Sequence, residues 1–383
     1  MKAPSQPVFP TRFLRDDGRR TATANERLLL TLLSRDGAAS RADLFRLTGL
    51  TAQSITRLVD PLIERGLLVE GAPQIAGRGK PSAKLRLNAD AAHGIGLAIM
   101  TDAIALVILD LAGNVRGRAT ARLASVELDR AIAQIATMID ETTRDAGLDS
   151  ARRVGIGVGV TGYFIGDGAR LNPPPQLDPW ALIPLDAVLA ERLGGPVLIE
   201  NDGNVAAVGE AMLGAGKGVS DFAYIYFAAG LGGGVIANGV PLRGAYGNAG
   251  EFASILPLDW PVPNLENLRL YLAERGRAWP DLHAMLAGMP VGDPLIEDWL
   301  DRCAASLNLI ASAIFAACDP SLIVLGGRLP PALAEKVTAR ITLTNPDRRG
   351  HRRPVPRIVA SSLPEDAAAI GAATLPLRAA FFT

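Results

Sequence analysis

Apolar side chains recur at helical spacing in three successive segments near the start of the chain. The second segment follows Ser40, which is expected to cap it, and ends at Gly49, a common residue at helix ends. The third follows Thr51 and repeats apolar residues at i, i+3, i+4, i+7 and i+8. The apolar positions of the three segments are Leu28, Leu29, Leu32 and Leu33, then Leu44 and Leu47, then Ile55, Leu58, Val59, Leu62 and Ile63. The sequence therefore predicts three short helices, the first starting at Asn25, each with one buried face.

Pro61 lies inside the third predicted helix. A proline there removes a backbone hydrogen bond and costs about 3 kcal/mol or more. We therefore expect a kink or a break near Asp60, after the turns that carry the polar face of this helix.

Two short segments with strand-like alternation follow the helices, residues 67–70 and 84–87. Residues 77–81 between them read Gly-Arg-Gly-Lys-Pro, a glycine-rich basic loop. Three helices with a tight turn before the third, followed by a two-stranded wing, are typical of a winged helix-turn-helix. The third helix of such a module enters the DNA major groove.

The polar face of the third helix carries Gln53, Ser54 and Arg57. Gln pairs with adenine and Arg with guanine, so Gln53 and Arg57 are predicted to read bases. Arg78 and Lys80 in the basic loop are predicted to contact phosphates or a narrow minor groove. The alternative is a helical protein-interaction module whose arginine face is merely solvated.

The charge of the chain is unevenly distributed, although its formal net charge is zero. Residues 1–88 carry 15 Lys and Arg against 8 Asp and Glu, a net charge of +7, and residues 89–383 carry 24 against 31, a net charge of −7. A basic segment on an acidic body favours a polyanionic partner. We therefore predict a flexible arm at residues 1–22 and a domain at residues 23–88 that binds double-stranded DNA.

The rest of the chain alternates strand-like and helix-like segments, which predicts an α/β fold. Strands are predicted at residues 94–100, 104–111, 115–121, 154–160, 197–199, 222–228, 234–237 and 322–325, and helices at 128–146, 204–213, 304–317 and 367–380.

The uncharged run at residues 222–242 is long enough to span a bilayer. Glycines interrupt it, and Asn238-Gly239 is a hairpin-turn signal, so two buried strands are the better interpretation. Cys303 and Cys318 are too few for a disulfide framework, and the first twenty residues contain no apolar leader segment. We expect a cytoplasmic protein with no membrane partner.

An ordered set of motifs in this α/β part resembles the ROK family of repressors, open reading frames and kinases. The motifs are Glu-Asn-Asp-Gly-Asn-Val-Ala-Ala at 200–207, Gly-Leu-Gly-Gly-Gly at 230–234, Asn-Ala-Gly-Glu at 248–251, Leu-Glu at 265–266, Gly-Gly at 326–327 and Gly-Ala-Ala at 371–373. The resemblance implies that residues 89–383 form two actin/hexokinase-like lobes, divided near residue 200, with a sugar cleft between them. It also implies a homodimer or a homotetramer.

The resemblance further implies which side chains hold the sugar. In ROK sugar kinases an Asn-Asp pair binds the sugar and the Asp deprotonates the attacking hydroxyl, and Asn201 and Asp202 match this pair. Glu251 and Glu266 match two further sugar-binding carboxylates. Convergent carboxylates and amides suit a polyol, because each buried hydroxyl needs a hydrogen-bond partner. The alternative is that Asn201 and Asp202 only cap the next helix, and that the glutamates lie on the surface.

Two phosphate-binding motifs of the ROK kinases are missing. The family's first lobe begins with Asp-x-Gly-Gly-Thr, whereas residues 94–102 contain neither a glycine pair nor a correctly placed Asp. The second loop reads Ala229-Gly230, without the usual Thr. Phosphoryl transfer depends on gripping and neutralising the phosphates, so we predict that the domain is catalytically inactive.

The family's zinc ligands are also missing. Ser254 stands where a His is usual, and no cysteine occurs between Ile255 and Arg302, so no zinc or other cofactor is predicted. That His is usually a sugar contact as well, so Ser254 is expected to face a different ligand. Gln176 stands where Asn is usual and is expected to do the same.

Three functions remain open on the sequence. The first is a sugar-responsive transcriptional regulator, a repressor, with an inactive ROK domain. The second is an ATP-dependent ROK sugar kinase that carries a DNA-binding domain. The third is a regulator whose signal is a partner protein rather than a sugar.

Overall fold

The computed structural model describes residues 22–71, 83–166, 170–363 and 366–383. Within these ranges the α-helices are α1 (Ala24–Asp36), α2 (Arg41–Thr48), α3 (Ala52–Glu64), α4 (Leu128–Asp145), α5 (Leu185–Leu193), α6 (Asp202–Leu213), α7 (Leu265–Ala273), α8 (Leu282–Gly288), α9 (Pro294–Cys318), α10 (Pro331–Arg340) and α11 (Ala367–Phe381). The strands are β1 (Ala39–Ser40), β2 (Leu68–Glu70), β3 (Lys84–Leu87), β4 (His93–Ile99), β5 (Ala103–Asp110), β6 (Val115–Arg122), β7 (Arg153–Val160), β8 (Tyr163–Phe164), β9 (Leu171–Asn172), β10 (Val197–Asn201), β11 (Phe222–Phe227), β12 (Leu231–Ala237), β13 (Val240–Pro241), β14 (Leu322–Gly327) and β15 (Arg357–Ala360).

The first three helices begin at their capping residues. Thr23 and Ser40 each form a reciprocal capping box with the third residue of the helix that follows. The hydroxyl of Thr51 accepts a hydrogen bond from a backbone N–H in the first turn of α3. Gly49 ends α2 in the left-handed conformation, with φ 69°. The predicted caps Ser40 and Thr51 and the predicted turn at Gly49 are confirmed, whereas the cap at Thr23 was not predicted.

The buried face of α1 differs from the predicted one. The core contains Leu29, Leu30 and Leu33, whereas Leu28 is 36% exposed. Leu28, Leu29 and Leu30 are consecutive, so either of two neighbouring helix faces has leucines at helical spacing. The sequence pattern alone therefore could not decide which face is buried. The packing of α1 against β3 and the other helices decided the face.

The predicted break near Asp60 is wrong, because α3 runs without interruption through Pro61 to Glu64. The proline ring lies on the exposed side, while Val59 and Leu62 on the opposite side are fully buried. The carbonyl of Pro61 still accepts the N–H of Arg65 at 2.9 Å. Burial of the apolar face therefore outweighs the one backbone hydrogen bond that proline removes.

A small antiparallel sheet with strand order β1-β3-β2 packs on these helices, and its two longer strands are the two that the sequence predicted. The predicted arm at residues 1–22 lies outside the described residues except for Ala22. The predicted DNA contacts Arg78 and Lys80 also lie outside them.

Two five-stranded sheets form the rest of the molecule. Sheet one has the order β10-β7-β4-β5-β6, with β4, β7 and β10 parallel. Sheet two has the order β13-β12-β11-β14-β15, with β11, β14 and β15 parallel. Helices α4 and α5 cover one face of sheet one, and α11 with α6 covers the other. The predicted α/β alternation is confirmed.

The uncharged run at residues 222–242 forms β11, β12 and β13. Asn238 and Gly239 form the turn between the last two strands with φ 52° and 75°, as a tight hairpin requires. The prediction of two buried strands is confirmed. Among the described residues one helix, α9, is long and apolar enough to cross a membrane by length and composition, and its apolar side packs on β11 and β14 in the core of sheet two.

Helix α11 lies closer to its neighbours than ordinary side chains permit. A Cβ atom on Gly96 in β4, or on Gly157 in β7, would lie 1.9 Å from a carbonyl oxygen of α11. A Cβ atom on Gly371 of α11 itself would lie 1.7 Å from the carbonyl oxygen of Val205 in α6. Glycines on all three elements therefore bring backbone against backbone.

The end of α11 also contacts the N-terminal helices. The N–H of Ala22 and the guanidinium of Arg27 donate to carbonyl oxygens near the end of α11, at 3.2 and 2.6 Å. Thr31 of α1 shares a 3.0 Å hydrogen bond with the hydroxyl of Thr383. One helix thus touches sheet one, α6 and α1.

We expect Gly371→Ala to destabilise the protein by about 3 kcal/mol, because the added methyl group must push α11 away from α6. In an ordinary helix interior the same substitution stabilises by about 0.5–1 kcal/mol, so the sign of the effect is diagnostic. Urea unfolding measures it. The control is Gly292→Ala, where no atom lies within 4 Å of the added methyl group; equal free energies of unfolding for the two variants would contradict the close approach.

Candidate functional site

A cavity of about 330 Å³ lies where the carboxyl ends of β7 and β10 meet the glycine-rich turn between β11 and β12. Ligands of α/β proteins bind at the carboxyl ends of parallel strands, because loops and helix N-termini converge there. Its polar lining residues are Thr161, Tyr163, Asn172, Gln176, Asn201, Asp202, Tyr226 and Glu251. Four of the predicted sugar contacts, Gln176, Asn201, Asp202 and Glu251, therefore line one cavity.

Asn201 ends β10 and caps α6. Its side-chain oxygen Oδ1 accepts the backbone N–H of Asn204 at 3.1 Å. Its amide nitrogen donates to the carbonyl of Gly162 at 2.9 Å and to Oε1 of Glu251 at 3.3 Å. The capping role and the position in the cavity are thus compatible, because they use opposite ends of one amide.

Asp202 is buried at the first position of α6. Its carboxylate accepts the hydroxyl of Thr161 at 2.6 Å and the N–H of Gly203 at 2.9 Å. Burial raises the pKa of Asp202, and these two hydrogen bonds oppose the rise. The carboxyl group is therefore held in one orientation at the wall of the cavity.

Glu251 brings a second carboxyl group to the same cavity. Burial raises the pKa of Glu251 to about 7, and the neighbouring charge of Asp202 adds to the rise. Near neutral pH this group exists in both forms, of which the acid donates and the carboxylate accepts hydrogen bonds. Two carboxyls and two amides facing one cavity can satisfy several hydroxyl groups of a polyol.

The structure does not bring the other two predicted sugar contacts to this cavity. Ser254 is exposed, and its hydroxyl donates to the backbone carbonyl of Glu251 at 2.6 Å. Both carboxylate oxygens of Glu266 accept hydrogen bonds from the guanidinium of Arg269, at 2.6 and 2.9 Å. Glu266 is one turn of α7 from that arginine, so a local ion pair fixes its direction instead.

Sequence reasoning missed other polar residues of the cavity. Thr161 directly follows β7, just as Asn201 ends β10, and adjacent parallel strands place both at one sheet edge. That position after an apolar strand was a readable signal. Asn172 and Tyr163 face each other across the short β8–β9 hairpin, where the amide donates to the phenol oxygen at 2.6 Å. No local sequence pattern predicts that Asn172 and Tyr163 meet in this cavity.

An ion pair joins the two sheets at the stretch that the resemblance compares with the first phosphate loop. Asp102, in the turn after β4, pairs with Arg328, which directly follows β14. Arg328 is only 2% exposed. The second carboxylate oxygen of Asp102 accepts the backbone N–H of His283 at 2.9 Å. Protein groups therefore already satisfy this acidic residue.

The predicted base-reading residues lie on the exposed side of α3. Gln53 and Arg57 are exposed, and Ile55 and Val59 on the other side are buried. Ser54 is half-buried, and its hydroxyl shares a 2.8 Å hydrogen bond with that of Thr51 at the start of the helix. Gln53 and Arg57 are thus accessible to a partner, whereas Ser54 is partly engaged in the cap.

The described residues contain no group of three His, Cys, Asp or Glu side chains arranged to hold a metal ion. Cys303 is buried in the core of sheet two and Cys318 is partly buried. The absence of zinc and other cofactors stays a prediction from the sequence.

Residues 94–258 match the model of the ROK family. A protein of Sinorhizobium fredii described only as uncharacterized is 29% identical over 361 residues, 94% of this chain and 92% of that protein. A xylose repressor of Bacillus spizizenii is 30% identical over 240 residues, 62% of each chain. The DNA-binding transcriptional repressor Mlc of Escherichia coli is 25% identical over 333 residues, 79% of this chain and 80% of that protein.

Two solved structures share the fold. A ROK family transcriptional regulator, a homolog of Escherichia coli Mlc, superposes with a TM-score of 0.65 at 21% identity, over 93% of this chain and 94% of that one. A ROK family glucokinase from Streptomyces griseus, in complex with glucose and AMPPNP, gives a TM-score of 0.61 at 24% identity, over 74% of this chain and 99% of that one. The predicted actin/hexokinase-like α/β fold is confirmed.

The raised pKa of Glu251 predicts a pH-dependent stability difference for Glu251→Gln. Between the ordinary pKa of 4.5 and the folded value of about 7, the folded wild type holds a proton that the unfolded chain has released. This contribution to wild-type stability is therefore lost as pH rises through that window, and glutamine does not titrate. We expect the variant to gain about 1–3 kcal/mol relative to wild type between pH 4.5 and 7.5.

Urea unfolding of both proteins at several pH values measures this gain. Taking the difference between the two proteins cancels the groups that titrate identically in both. A difference in the free energy of unfolding that stays constant from pH 4.5 to 7.5 would contradict the raised pKa of Glu251.

Proposed function

We propose that the chain, in which residues 94–258 match the ROK family domain, is a DNA-binding transcriptional regulator, a repressor, controlled by a sugar or sugar derivative. The observation that carries the proposal is the position of α1–α3 and their small sheet ahead of that domain, with the polar face of α3 exposed. Relatives named as a xylose repressor and as the repressor Mlc support it.

We propose that residues 23–88 are a winged helix-turn-helix that binds double-stranded DNA. Helix α3 enters the major groove, where Gln53 and Arg57 read bases. Arg78 and Lys80, which lie outside the described residues, are the proposed phosphate contacts. The short turn at Gly49 between α2 and α3 supports this assignment.

The cavity at Asn201, Asp202 and Glu251 is the proposed sugar site, with Gln176 on its rim. The carboxyls and amides around it supply the hydrogen-bond partners that a polyol needs when it leaves water. The relative named xylose repressor makes a pentose the first ligand to try. Ser254 and Glu266 are left out of the proposed contacts, because neither lines the cavity.

The proposed domain is a sensor without kinase activity. The ion pair between Asp102 and Arg328 supports this, because a buried guanidinium already satisfies the acidic residue that follows β4. The likeness to a glucokinase and the position of Asp202 favour the alternative, a sugar kinase with a DNA-binding domain. That alternative requires sugar-dependent formation of ADP.

The proposed switch is a change in the angle between the two lobes. A sugar that binds one angle better shifts the population toward it. In a homodimer or homotetramer this movement alters the spacing of the DNA-binding domains, and operators demand half-sites spaced by whole helical turns. The contacts of α11 with sheet one and α1 would transmit this movement to the DNA-binding domain.

We propose a cytoplasmic location, without a membrane partner.

Fluorescence anisotropy of a labelled duplex from upstream of the protein's own gene tests the regulator. We expect specific binding that one member of a panel of sugars, amino sugars, polyols and sugar phosphates releases. Arg57→Ala should cost about 1–3 kcal/mol on the specific duplex and relax its sequence preference.

Arg192→Ala, at an exposed position of α5 far from α3, is the matched control and should bind as wild type does. If Arg57→Ala weakens binding to specific and random duplexes equally, Arg57 does not read bases. Specific binding that is indifferent to every sugar would favour a partner protein as the signal.

Asp202→Asn should weaken binding of the releasing sugar about 10-fold or more, because a hydrogen bond to a buried carboxylate is replaced by one to a neutral amide. DNA affinity without sugar should be unchanged. Calorimetric titration of the sugar measures the first quantity and anisotropy the second, with the surface variant Asp129→Asn on α4 as control. Unchanged sugar affinity in Asp202→Asn would remove Asp202 from the site.

A further inference from the structure

A second cavity, of about 380 Å³, lies where the N-terminal helices meet the rest of the molecule. We call it the junction cavity; its walls come from α1, β10, α6, β13 and the end of α11. Its volume lies in the range of small-molecule sites. Most of the wall is apolar, with Leu198, Val205, Val208 and Phe382 among the side chains that face it.

The charged groups in this apolar wall are mostly cationic. The described lining side chains include three arginines, Arg27, Arg243 and Arg378, against a single acidic side chain, Glu200, a net side-chain charge of +2. A net positive charge in an apolar wall is costly unless an anion accompanies it.

Two of the arginines have partners in the protein. Arg243 pairs with the buried carboxylate of Glu200 at 2.7 Å, so the single acid is already engaged. Arg27 donates to the carbonyl oxygens of Ala22 and Ala379, which carry no formal charge.

Arg378 is the arginine without a counter-ion. Its guanidinium forms no hydrogen bond or ion pair with the described residues. Burial lowers the pKa of its guanidinium, and no nearby acid opposes this effect. Arginine presents its donors in a planar fork that matches carboxylate and phosphate groups.

We propose that the junction cavity binds a small amphipathic anion, whose carboxylate or phosphate pairs with Arg378 and whose apolar body packs against α6 and β10. The site is separate from the proposed sugar cavity. The two are joined by Glu200, which accepts the backbone N–H of Asn201 at 3.0 Å on one side and pairs with Arg243 on the other. Because α1 and α11 both line the junction cavity, an occupied site holds the N-terminal helices against the body.

Calorimetric titration of the full chain with hexanoate, hexyl phosphate and hexan-1-ol tests the proposal. We expect at least one of the two anions to bind, and the alcohol of equal chain length to bind about 10-fold more weakly or not at all. Preference between the two anions identifies the head group. An absence of binding by both anions at millimolar concentration, or equal binding of the alcohol, would overturn the proposal.

Two variants locate the site. Arg378→Met keeps the apolar stem of the side chain and should weaken anion binding about 10-fold or more. Val208→Phe fills the cavity from α6 and should weaken binding of all three probes. Arg192→Met on α5 is the control and should bind as wild type does. Wild-type affinity in Arg378→Met would overturn the assignment.

Hydrogen exchange gives a readout that does not depend on the variants' folding. Hexanoate should slow exchange of the backbone amides in α1 and α11 of the wild type, because both helices line the occupied cavity. Protection confined to other elements would place the anion elsewhere and overturn the proposal. Neither measurement involves DNA or sugar, so its outcome is independent of the proposed regulatory function.

Discussion

The backbone contact between α11 and its neighbours determines the positions of the other functional elements. Glycines in β4, β7 and α11 remove the side chains that would keep the helix at an ordinary distance. Helix α6 is held by the same contact, and its capping residue Asn201 and its first residue Asp202 belong to the candidate site. The far end of α11 holds α1. Sheet packing, cavity and N-terminal helices therefore share one support, and a change in its position reaches all three.

The candidate site combines this rigid support with an unfavourable electrostatic environment. Asp202 is buried and the neighbouring Glu251 is half-buried, and burial raises the pKa of both carboxyl groups. The hydrogen bonds from Thr161 and Asn201 offset part of that cost. A polyol that donates hydroxyl groups to these carboxyls compensates the lost hydration, so the features that destabilise the empty cavity are those that favour a ligand.

Local patterns in the sequence predicted most of the fold, because caps, turns and apolar periodicity act between residues close in the chain. Ser40, Gly49 and the Asn238-Gly239 turn are such cases. Patterns failed at Leu28, where tertiary packing selected one of two possible buried faces of α1. They also failed at Pro61, where burial of the apolar face of α3 outweighed the loss of one backbone hydrogen bond. In the candidate site, the motifs selected Asn201, Asp202 and Glu251, which line one cavity, and their role as sugar contacts stays a prediction. The motifs could not reveal the ion pairs of Glu266 with Arg269 and of Asp102 with Arg328. A motif names a carboxylate but does not say which neighbouring cation pairs with it in the fold.

The order of elements along the chain means that the backbone contact of α11 forms late during synthesis. The last strand of sheet one ends at Asn201, whereas the helix that covers its glycine-lined face begins at Ala367, more than 160 residues later. At cellular rates of translation that delay is on the order of ten seconds. For that time an apolar sheet face emerges from the ribosome without its covering helix. Exposed apolar surface of this kind favours aggregation and chaperone binding in nascent chains. A nonsense mutation before Ala367 removes the helix that covers this face of sheet one.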